Sequence, residues 1–207
     1  MHKYYIYGAG GHAKVVASCI RLSGNEIAGF VEDSPSACRF LGMPVLTPEE
    51  LPETCAVILA FGNCRRRLEL SELLHNGKRT FPSVIHPSAQ IASDVQIGEG
   101  CYIGALANID PGCRIGDFCI INNSAIVCHD SKLDSGCHIC PGTAIAGGVH
   151  IGARAWIGLG SRVIEGKSIG ADALVGAGSV VVSSIPESSL AYGLPARVIK
   201  KMESRHD

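Results

Sequence analysis

Two histidines in the second half of the chain have the residue types and spacing that acid–base chemistry requires. His129 lies two positions after Val127 and directly before Asp130. An exposed imidazole is largely neutral near pH 7, so it can accept a proton, and a neighbouring carboxylate can orient it. His138 follows nine residues later, directly before Ile139. By its residue type and position, His129 is either a candidate general base or simply a surface histidine, and His138 could meet the same ligand if the fold brings the two rings together.

A period of six residues positions these histidines. From Ile85 to Val181, every sixth residue is Ile, Leu or Val. The position two residues earlier is mostly small, and glycines recur one and three residues after the aliphatic. This pattern fits a short strand followed by a turn, and neither a helix nor a single strand. Three such units close a triangular coil, so residues 85–181 predict about five coils of a parallel β-helix.

The same repeat accounts for several of the ten cysteines. Cys101, Cys113, Cys119 and Cys137 occupy the small inward position, so we expect them to lie in the core. Cys137 and Cys140 have the spacing of a zinc-binding pair, but their side chains should diverge, and we expect no metal site. Because the chain shows no export signal, its cysteines are expected to stay reduced.

Residues 1–80 have a different pattern, which predicts an α/β nucleotide-binding domain of half-Rossmann type before a β-helix domain over residues 81–207. The expected strands and helices alternate along the chain: Tyr4–Tyr7, His12–Leu22, Ile27–Val31, Ala56–Ala60 and Arg66–His75.

A glycine-rich loop joins the first strand of this domain to its first helix. Glycines let backbone N–H groups approach a phosphate, and the helix N-terminus favours negative charge. The spacing matches a dinucleotide fingerprint, but about 80 residues are too few for a complete dinucleotide fold. We therefore expect a phosphate-bearing nucleotide, with a purely structural turn as the alternative. The expected contacts are Gly8, Gly10, Gly11, His12, Glu32, Asp33, Gly62 and Asn63.

An α/β nucleotide domain joined to a six-residue repeat resembles the sialic acid O-acetyltransferase and bacillosamine-type sugar N-acetyltransferase family. The matching segments are Gly8–Val16, Asn122–Ser124, His129-Asp130, His138 with Pro141-Gly142, Val175–Val181 and Gly193–Arg197. The resemblance implies that the β-helix is left-handed. It also implies a homotrimer with active sites between subunits, and acetyl-CoA as the co-substrate in the groove between neighbouring β-helices.

The resemblance further implies roles for individual residues. His129 would be the base, supported by Asp130, and His138 would touch the acetyl thioester. The acidic partner is often Glu in the family and is one methylene shorter here. The expected acetyl-CoA contacts are Asn122, His138, Gly147, Ala177, Arg197 and Lys200, the last two because of their charge.

Together these features predict an acetyl-CoA-dependent N-acetyltransferase acting on the amine of a nucleotide-linked amino-dideoxy sugar. The first candidate substrate is UDP-4-amino-4,6-dideoxy-N-acetylglucosamine, acetylated by direct transfer. An acyl-enzyme on Cys128 or Cys140, expected to lie nearer the surface than the inward cysteines, is the chemical alternative. O-acetylation of a sialic acid or another surface-polysaccharide sugar is a second possible function. A nucleotide-sensing trimeric scaffold without catalysis is a third.

Composition argues against several other classes. The chain has 18 Lys and Arg against 19 Asp and Glu, a formal net charge of −1, which disfavours a nucleic-acid partner. No apolar run reaches the roughly 18 residues of a membrane span. Without a leader sequence, a cytoplasmic location is expected.

Overall fold

The computed structural model describes residues 3–75 and 78–202. These residues form an N-terminal α/β part followed by a parallel β-helix, so the predicted fold class is confirmed, including the left-handed helix expected from the family resemblance. None of the described helices is long and apolar enough to cross a bilayer.

The α/β part contains a five-stranded sheet with the strand order β3-β4-β2-β1-β5. Strand β3 is antiparallel to β4, and the other pairs are parallel. The elements, in chain order, are β1 (Lys3–Tyr7), α1 (Gly11–Leu22), β2 (Glu26–Val31), β3 (Arg39–Phe40), β4 (Met43–Leu46), a 3₁₀ turn (Pro48–Glu50), β5 (Ala56–Leu59) and α2 (Cys64–Leu74).

The three predicted strands and two predicted helices of this part are all present, with ends shifted by one or two residues. Strands β3 and β4 were not predicted. Both are short, and Pro44 in β4 weakens a strand prediction, because proline cannot donate a hydrogen bond to a neighbouring strand. Strand β4 lies one position in from the edge strand β3.

Helix α1 forms because its apolar residues recur at helical spacing. Ala13, Val16, Ala17 and Ile20 lie on one face, and all four are buried. They pack in one cluster with Ile6 and other residues of the sheet.

The β-helix has three faces, each a sheet of short parallel strands. The first face contains β6 (Val84–Ile85), β9 (Tyr102–Ile103), β12 (Ile120–Ile121), β15 (His138–Ile139), β18 (Trp156–Ile157), β21 (Leu174–Val175), β23 (Ser189–Gly193) and the antiparallel β24 (Ala196–Lys201). The second face contains β7 (Gln90–Ile91), β10 (Asn108–Ile109), β13 (Ile126–Val127), β16 (Ala144–Ile145), β19 (Arg162–Val163) and β22 (Val180–Val181). The third face contains β8 (Gln96–Ile97), β11 (Arg114–Ile115), β14 (Lys132–Leu133), β17 (His150–Ile151) and β20 (Ser168–Ile169).

The register confirms the predicted coil of three six-residue units. Ile121 pairs with Ile103 in one neighbouring coil and with Ile139 in the other, so that partners are 18 residues apart. All repeat aliphatics from Ile103 to Val181 are buried. The repeat aliphatics before Ile103 are partly exposed, because no coil precedes them.

From the turn after β8 to the turn after β21, each turn contains a residue with positive φ, three positions after the repeat aliphatic. Gly148 occupies this position with φ of 65°, as expected for a residue without a Cβ. Asp130 occupies the same position one coil earlier with φ of 59°. The carboxylate beside His129 is therefore also a turn residue.

The α/β part packs on the first face of the β-helix. Val84, Tyr102 and Ile120, which point away from the coil interior, share one apolar cluster with helix α1. At the junction, the carbonyl of Thr80 still accepts a hydrogen bond from Val57 N (2.9 Å). We retain the boundary between residues 80 and 81 as a proposal.

Candidate active site

The glycine loop ends in an open helix N-terminus. Gly8, with φ of 113°, donates its N–H to the carbonyl of Val31 (2.8 Å) and lies close to the carbonyl of Ala60. Gly10 is the N-cap of α1 and supplies no side-chain cap, and a methyl group on Gly10 or Gly11 would meet nothing within 4 Å. The first N–H groups of α1 are thus accessible to an anion such as a phosphate.

Two carboxylates lie at the end of β2, beside this loop. Glu32 accepts a hydrogen bond from Ala9 N. Asp33 accepts one from the Tyr7 hydroxyl and another from Arg66 (2.9 Å). The Tyr7 hydrogen bond is the main cause that lowers the pKa of Asp33, and Arg66 lowers it further. Both carboxylates are therefore fixed as acceptors next to the loop.

A cavity of about 170 Å³ opens between the glycine loop and the segment that leads into β3. Its lining includes Ala9, Glu32, Arg39 and Phe40. Glu32 was predicted from the sequence, whereas Arg39 and Phe40 were not, because the β3–β4 hairpin that brings them here was not predicted.

The turn between β5 and α2 contains two further predicted residues. The side chain of Asn63 caps α2 by accepting a hydrogen bond from Arg66 N (3.0 Å). Gly62 lies against a histidine of the β-helix, since a methyl group on Gly62 would sit 3.6 Å from Cε1 of His138. The side chain of Asn63 is therefore used to cap α2, and Gly62 is the point at which this turn of the α/β part approaches His138.

His138 lies on the first face, beneath the α/β part. Its Nε2 is 3.2 Å from Nδ2 of Asn122, and its ring meets Trp156 edge-on at a centroid distance of 6.2 Å. The ring of His12 is 6.5 Å away. From the sequence, His138 was expected to point outward. It does point away from the coil interior, but the α/β part covers it and only 8% of its surface is exposed.

Burial keeps both of these histidines neutral. The pKa of His138 is lowered to about 3, mainly by desolvation and to a smaller extent by the charge of Arg67 and by His12. Desolvation followed by the charge of Arg67 lowers the pKa of His12 to about 4. Neither ring is an imidazolium near pH 7, and a low pKa disfavours proton uptake, so His138 can hydrogen-bond to a ligand but is a poor base.

His129 has the opposite environment. Its Nδ1 is 2.9 Å from Oδ2 of Asp130, and the two side chains are 67% and 73% exposed. Gly147, one coil later, leaves room for the ring, since a methyl group there would lie 2.6 Å from Nε2. With Nδ1–H donated to Asp130, Nε2 is the nitrogen left to accept a proton. Gly147, which was predicted to contact acetyl-CoA, therefore packs directly against this ring.

One chain does not bring His129 and His138 to the same place. His129 follows β13, at the corner between the second and third faces. His138 is on β15, in the first face. In a triangular coil that corner lies opposite the first face.

The remaining predicted residues are spread along the β-helix. Asn122 contacts His138, and its Oδ1 also accepts from Asn123 N (2.9 Å). Ala177 is exposed in a turn of the β-helix. Arg197 and Lys200 are exposed on β24, which pairs with β23.

The cysteines divide into core and near-surface residues. The four predicted inward cysteines are buried. Cys140 is also buried, and this burial raises its pKa to about 12, so its expected position near the surface is wrong. Cys128 is half-buried, and its pKa is also raised, mainly by burial. Neither thiol has the lowered pKa of an activated nucleophile. In the described part of the chain, no group of three or more His, Cys, Asp or Glu could hold a metal ion.

A cleft that was not predicted from the sequence lies near His138. It has a volume of about 420 Å³ and lies between the Asn63 turn and Trp156. Asp172 on its wall accepts hydrogen bonds from Arg154 (2.6 and 2.9 Å) and from Arg65 of α2 (3.0 Å). Tertiary packing creates this cleft, and the repeat pattern contains no signal for it.

Comparison with known proteins identifies relatives of both parts of the chain. Residues 3–74 match the family described as the PglD N-terminal domain. Over 113 residues the chain is 36% identical to the UDP-N-acetylbacillosamine N-acetyltransferase of Bacillus subtilis (strain 168), and this match covers 51% of the chain. The match spans about half (52%) of the length of that relative.

Solved structures extend the similarity to nearly the whole chain. PerB from Caulobacter crescentus, in complex with CoA and GDP-perosamine, is 39% identical with a TM-score of 0.89, and the match covers 97% of this chain and 98% of that one. The acetyltransferase domain of PglB from Neisseria gonorrhoeae FA1090, in complex with acetyl coenzyme A, is 32% identical with a TM-score of 0.88. That match covers 96% of this chain and 99% of the other.

Proposed function

Because the chain belongs to the hexapeptide-repeat sugar acetyltransferase family, we propose that it transfers the acetyl group of acetyl-CoA to the amine of a nucleotide-linked amino-dideoxy sugar. The observation that carries the proposal is the hydrogen bond between His129 and Asp130 at an exposed corner of the β-helix. A relative that matches nearly the whole chain and shares its fold has been solved with CoA and GDP-perosamine.

The proposed chemistry is direct transfer with His129 as general base. The amine nitrogen of the sugar attacks the thioester carbon, and its lone pair forms the new C–N bond. Nε2 of His129 accepts the proton that the nitrogen loses, and Asp130 stabilises the resulting imidazolium. The C–S bond then breaks, and the CoA thiolate leaves and is protonated. The raised pKa values of Cys128 and Cys140 disfavour the acyl-enzyme alternative.

The α/β part is proposed to hold the nucleotide. The open N-terminus of α1 at Gly10 and Gly11 suits the diphosphate, because its free N–H groups and the helix dipole both favour anions. The carboxylates of Glu32 and Asp33 are acceptors for ribose or base groups. Holding the sugar by its nucleotide raises the effective concentration of its amine at the thioester.

Two copies of the chain are proposed to complete each site, within a homotrimer. His129 and His138 lie on opposite sides of the coil, so both can reach one ligand only when a neighbouring β-helix contributes one of them. His138 and Asn122 would then present their polar atoms to the acetyl group of the co-substrate. Arg197 and Lys200 are proposed contacts for the CoA phosphates.

The experiment is release of free CoA from acetyl-CoA by the purified protein, with mass spectrometry of the product. UDP-4-amino-4,6-dideoxy-N-acetylglucosamine and GDP-perosamine are supplied separately, and sialic acid is supplied as the O-acetylation control. We expect one of the nucleotide sugars to gain a single acetyl group on nitrogen. Acetylation of sialic acid alone, or tight nucleotide binding without CoA release from any acceptor, would contradict the proposal.

A mixing experiment tests the shared site. A His129→Asn chain and a Gly10→Asp chain, each inactive by itself, are unfolded together and refolded as mixed oligomers. If sites form between subunits, some sites in the mixture combine an intact His129 with an intact glycine loop, and activity returns. Activity that stays absent in confirmed mixed oligomers would place each complete site within one chain.

A further inference from the structure

Arg67 on helix α2 has no exposed surface and is the largest fully buried side chain of the described residues. Its Nε donates to the carbonyl of Phe118 (2.8 Å), and its Nη1 to the carbonyl of Phe61 (3.0 Å). Its Nη2 donates to the carbonyls of Gly136 (2.7 Å) and Cys137 (3.3 Å). All four acceptors are backbone atoms, and they belong to three separate segments of the chain.

The guanidinium of Arg67 has no carboxylate partner within residues 3–75 and 78–202. Burying a charge costs free energy that neutral carbonyls repay only when the geometry is good, and an apolar side chain could fill the same volume. Packing alone therefore does not explain an arginine at this position. What it supplies is a rigid, planar set of donors that holds several carbonyls in fixed relative positions.

Two of these carbonyls lie directly next to the candidate site. Phe61 immediately precedes Gly62, and Cys137 immediately precedes His138. Gly62 and the ring of His138 are in contact, with 3.6 Å between Cε1 and a methyl group placed on the glycine. The guanidinium thus hydrogen-bonds to the residue directly before Gly62 and to the residue directly before His138.

We infer that Arg67 is a positioning residue for the proposed acetyl-transfer site: its guanidinium fixes the Gly62 turn of the α/β part against strand β15, and thereby sets the place of the His138 ring. The inference rests on the proposed function, since the effect on catalysis is an effect on acetyl transfer. Arg67 itself touches no substrate and acts through His138.

The charge of Arg67 supports the same role. Among the causes that lower the pKa of His138, Arg67 is second only to burial, and it also lowers the pKa of His12. The charged or titratable groups that face His138 are Arg67 from α2 and His12 from α1, whereas Asn122 and Trp156 are uncharged. Arg67 thus holds the ring in place and keeps it neutral.

The test compares Arg67→Lys and Arg67→Met with Arg21→Met, which changes an exposed arginine at the far end of α1. Lysine keeps the charge but cannot reach carbonyls on three segments with one ammonium group. Long-range ¹H–¹⁵N spectra report the tautomer and titration of each histidine ring, and a His138→Gln variant assigns the His138 signals. Thermal unfolding establishes how much of each variant is folded.

In the folded Arg67→Lys protein we expect shifted His138 ring signals. We also expect kcat for acetyl transfer to fall by about 10- to 100-fold, because a displacement of about 1 Å can cost this much. The KM for the nucleotide sugar should not change, since its nucleotide binds elsewhere. In Arg67→Met the His138 ring should also gain a proton at higher pH than in the parent. Arg21→Met should match the parent in every measurement.

Parent-like His138 signals and kcat in folded Arg67→Lys would overturn the inference. So would a loss of kcat in Arg67→Met that matches only its unfolded fraction. If the parent protein acetylates no nucleotide sugar, the proposed function fails. The ring spectra still show whether Arg67 positions His138.

Discussion

His129 and His138 are nine positions apart and have opposite environments. His129 is two-thirds exposed and donates to the carboxylate of Asp130, so an imidazolium there is both hydrated and paired. His138 is almost fully buried beside the guanidinium of Arg67, and its polar contact is the neutral amide of Asn122. Burial and a neighbouring positive charge both oppose a proton on His138. The same residue type can therefore serve as a base at one position and as a neutral hydrogen-bonding group at the other.

The fold produces this difference through the shape of the coil. Corners of the β-helix are turns that project into solvent, whereas the first face is covered by the α/β part. His129 is at a corner and His138 is on the covered face. The face on which a residue lies, and what covers that face, therefore set much of its chemistry. His150 has the same place in the repeat as His138 but lies on the third face and is exposed.

The largest expected effect is the loss of the proposed base. His129→Asn should lower kcat by about 10²- to 10⁴-fold, the usual contribution of a general base. The matched control is His150→Asn, because His150 forms a similar exposed pair with Asp134 (Nε2 to Oδ2, 2.9 Å). CoA release is measured for both. Equal rates of CoA release in the His129 variant and the parent would show that His129 is not the base. An equal loss of rate in the His150 variant would show that the His129–Asp130 pair has no special role.

The buried pair should make stability depend on pH. The pKa values of His12 and His138 are lowered to about 4 and about 3, so the unfolded chain binds more protons below pH 6.5 than the folded chain does. The free energy of unfolding therefore has its full value above pH 6.5. It falls as the pH decreases, by up to about 1.4 kcal/mol per pH unit for each histidine. Between pH 6.5 and 5 the loss should be about 2 to 4 kcal/mol. Urea unfolding of the parent and of His138→Gln measures it, and the variant should lose less. Equal pH dependence in both proteins would contradict the burial argument.

The partner carboxylate is expected to contribute less than the base itself. Asp130→Asn retains the side-chain shape and tolerates the positive φ of this turn, but it removes the charge that stabilises the imidazolium. We expect kcat to fall by about tenfold, or about 1.4 kcal/mol of barrier, with no change in thermal stability. An unchanged kcat, measured by the same CoA assay, would show that Asp130 serves only as a turn residue.

The smallest expected effects come from alanine substitutions at two glycines, each of which lies next to one of the histidines. In Gly147→Ala the new methyl group would lie 2.6 Å from Nε2 of His129, so the exposed ring must rotate away. In Gly62→Ala the methyl group meets His138 at an ordinary contact distance of 3.6 Å. We expect Gly147→Ala to lower kcat several-fold, on the order of 1 kcal/mol of barrier, at unchanged stability, and Gly62→Ala to lower it less. The reverse order would show that the site depends more on His138 than on His129.

Residues whose environment is local or periodic could be predicted from the sequence. The repeat predicted the buried aliphatics and the inward cysteines, and it indicated that Asp130 occupies a turn position that glycine often holds. The glycine loop and Glu32 were both predicted to contact the nucleotide, and in the structure Glu32 accepts a hydrogen bond from Ala9 N of that loop. Each of these inferences needs only a repeat or a single strand–helix unit.

The misses all depend on how distant segments pack. His138 is buried because the α/β part covers the first face, and Cys140 is buried beside Cys64 of α2. Arg67 carried no sequence signal, since its acceptors are backbone carbonyls, which every residue has.

The sequence by itself determined the coil, the glycine loop and the residue types of the proposed base His129 and its carboxylate partner Asp130. A fixed period and local turn geometry depend only on neighbouring residues. Only the tertiary structure decided which histidine is exposed and which is buried, and what holds the two parts together. The physical reason is that desolvation and carbonyl contacts depend on which surfaces meet, and those surfaces belong to residues far apart in the chain.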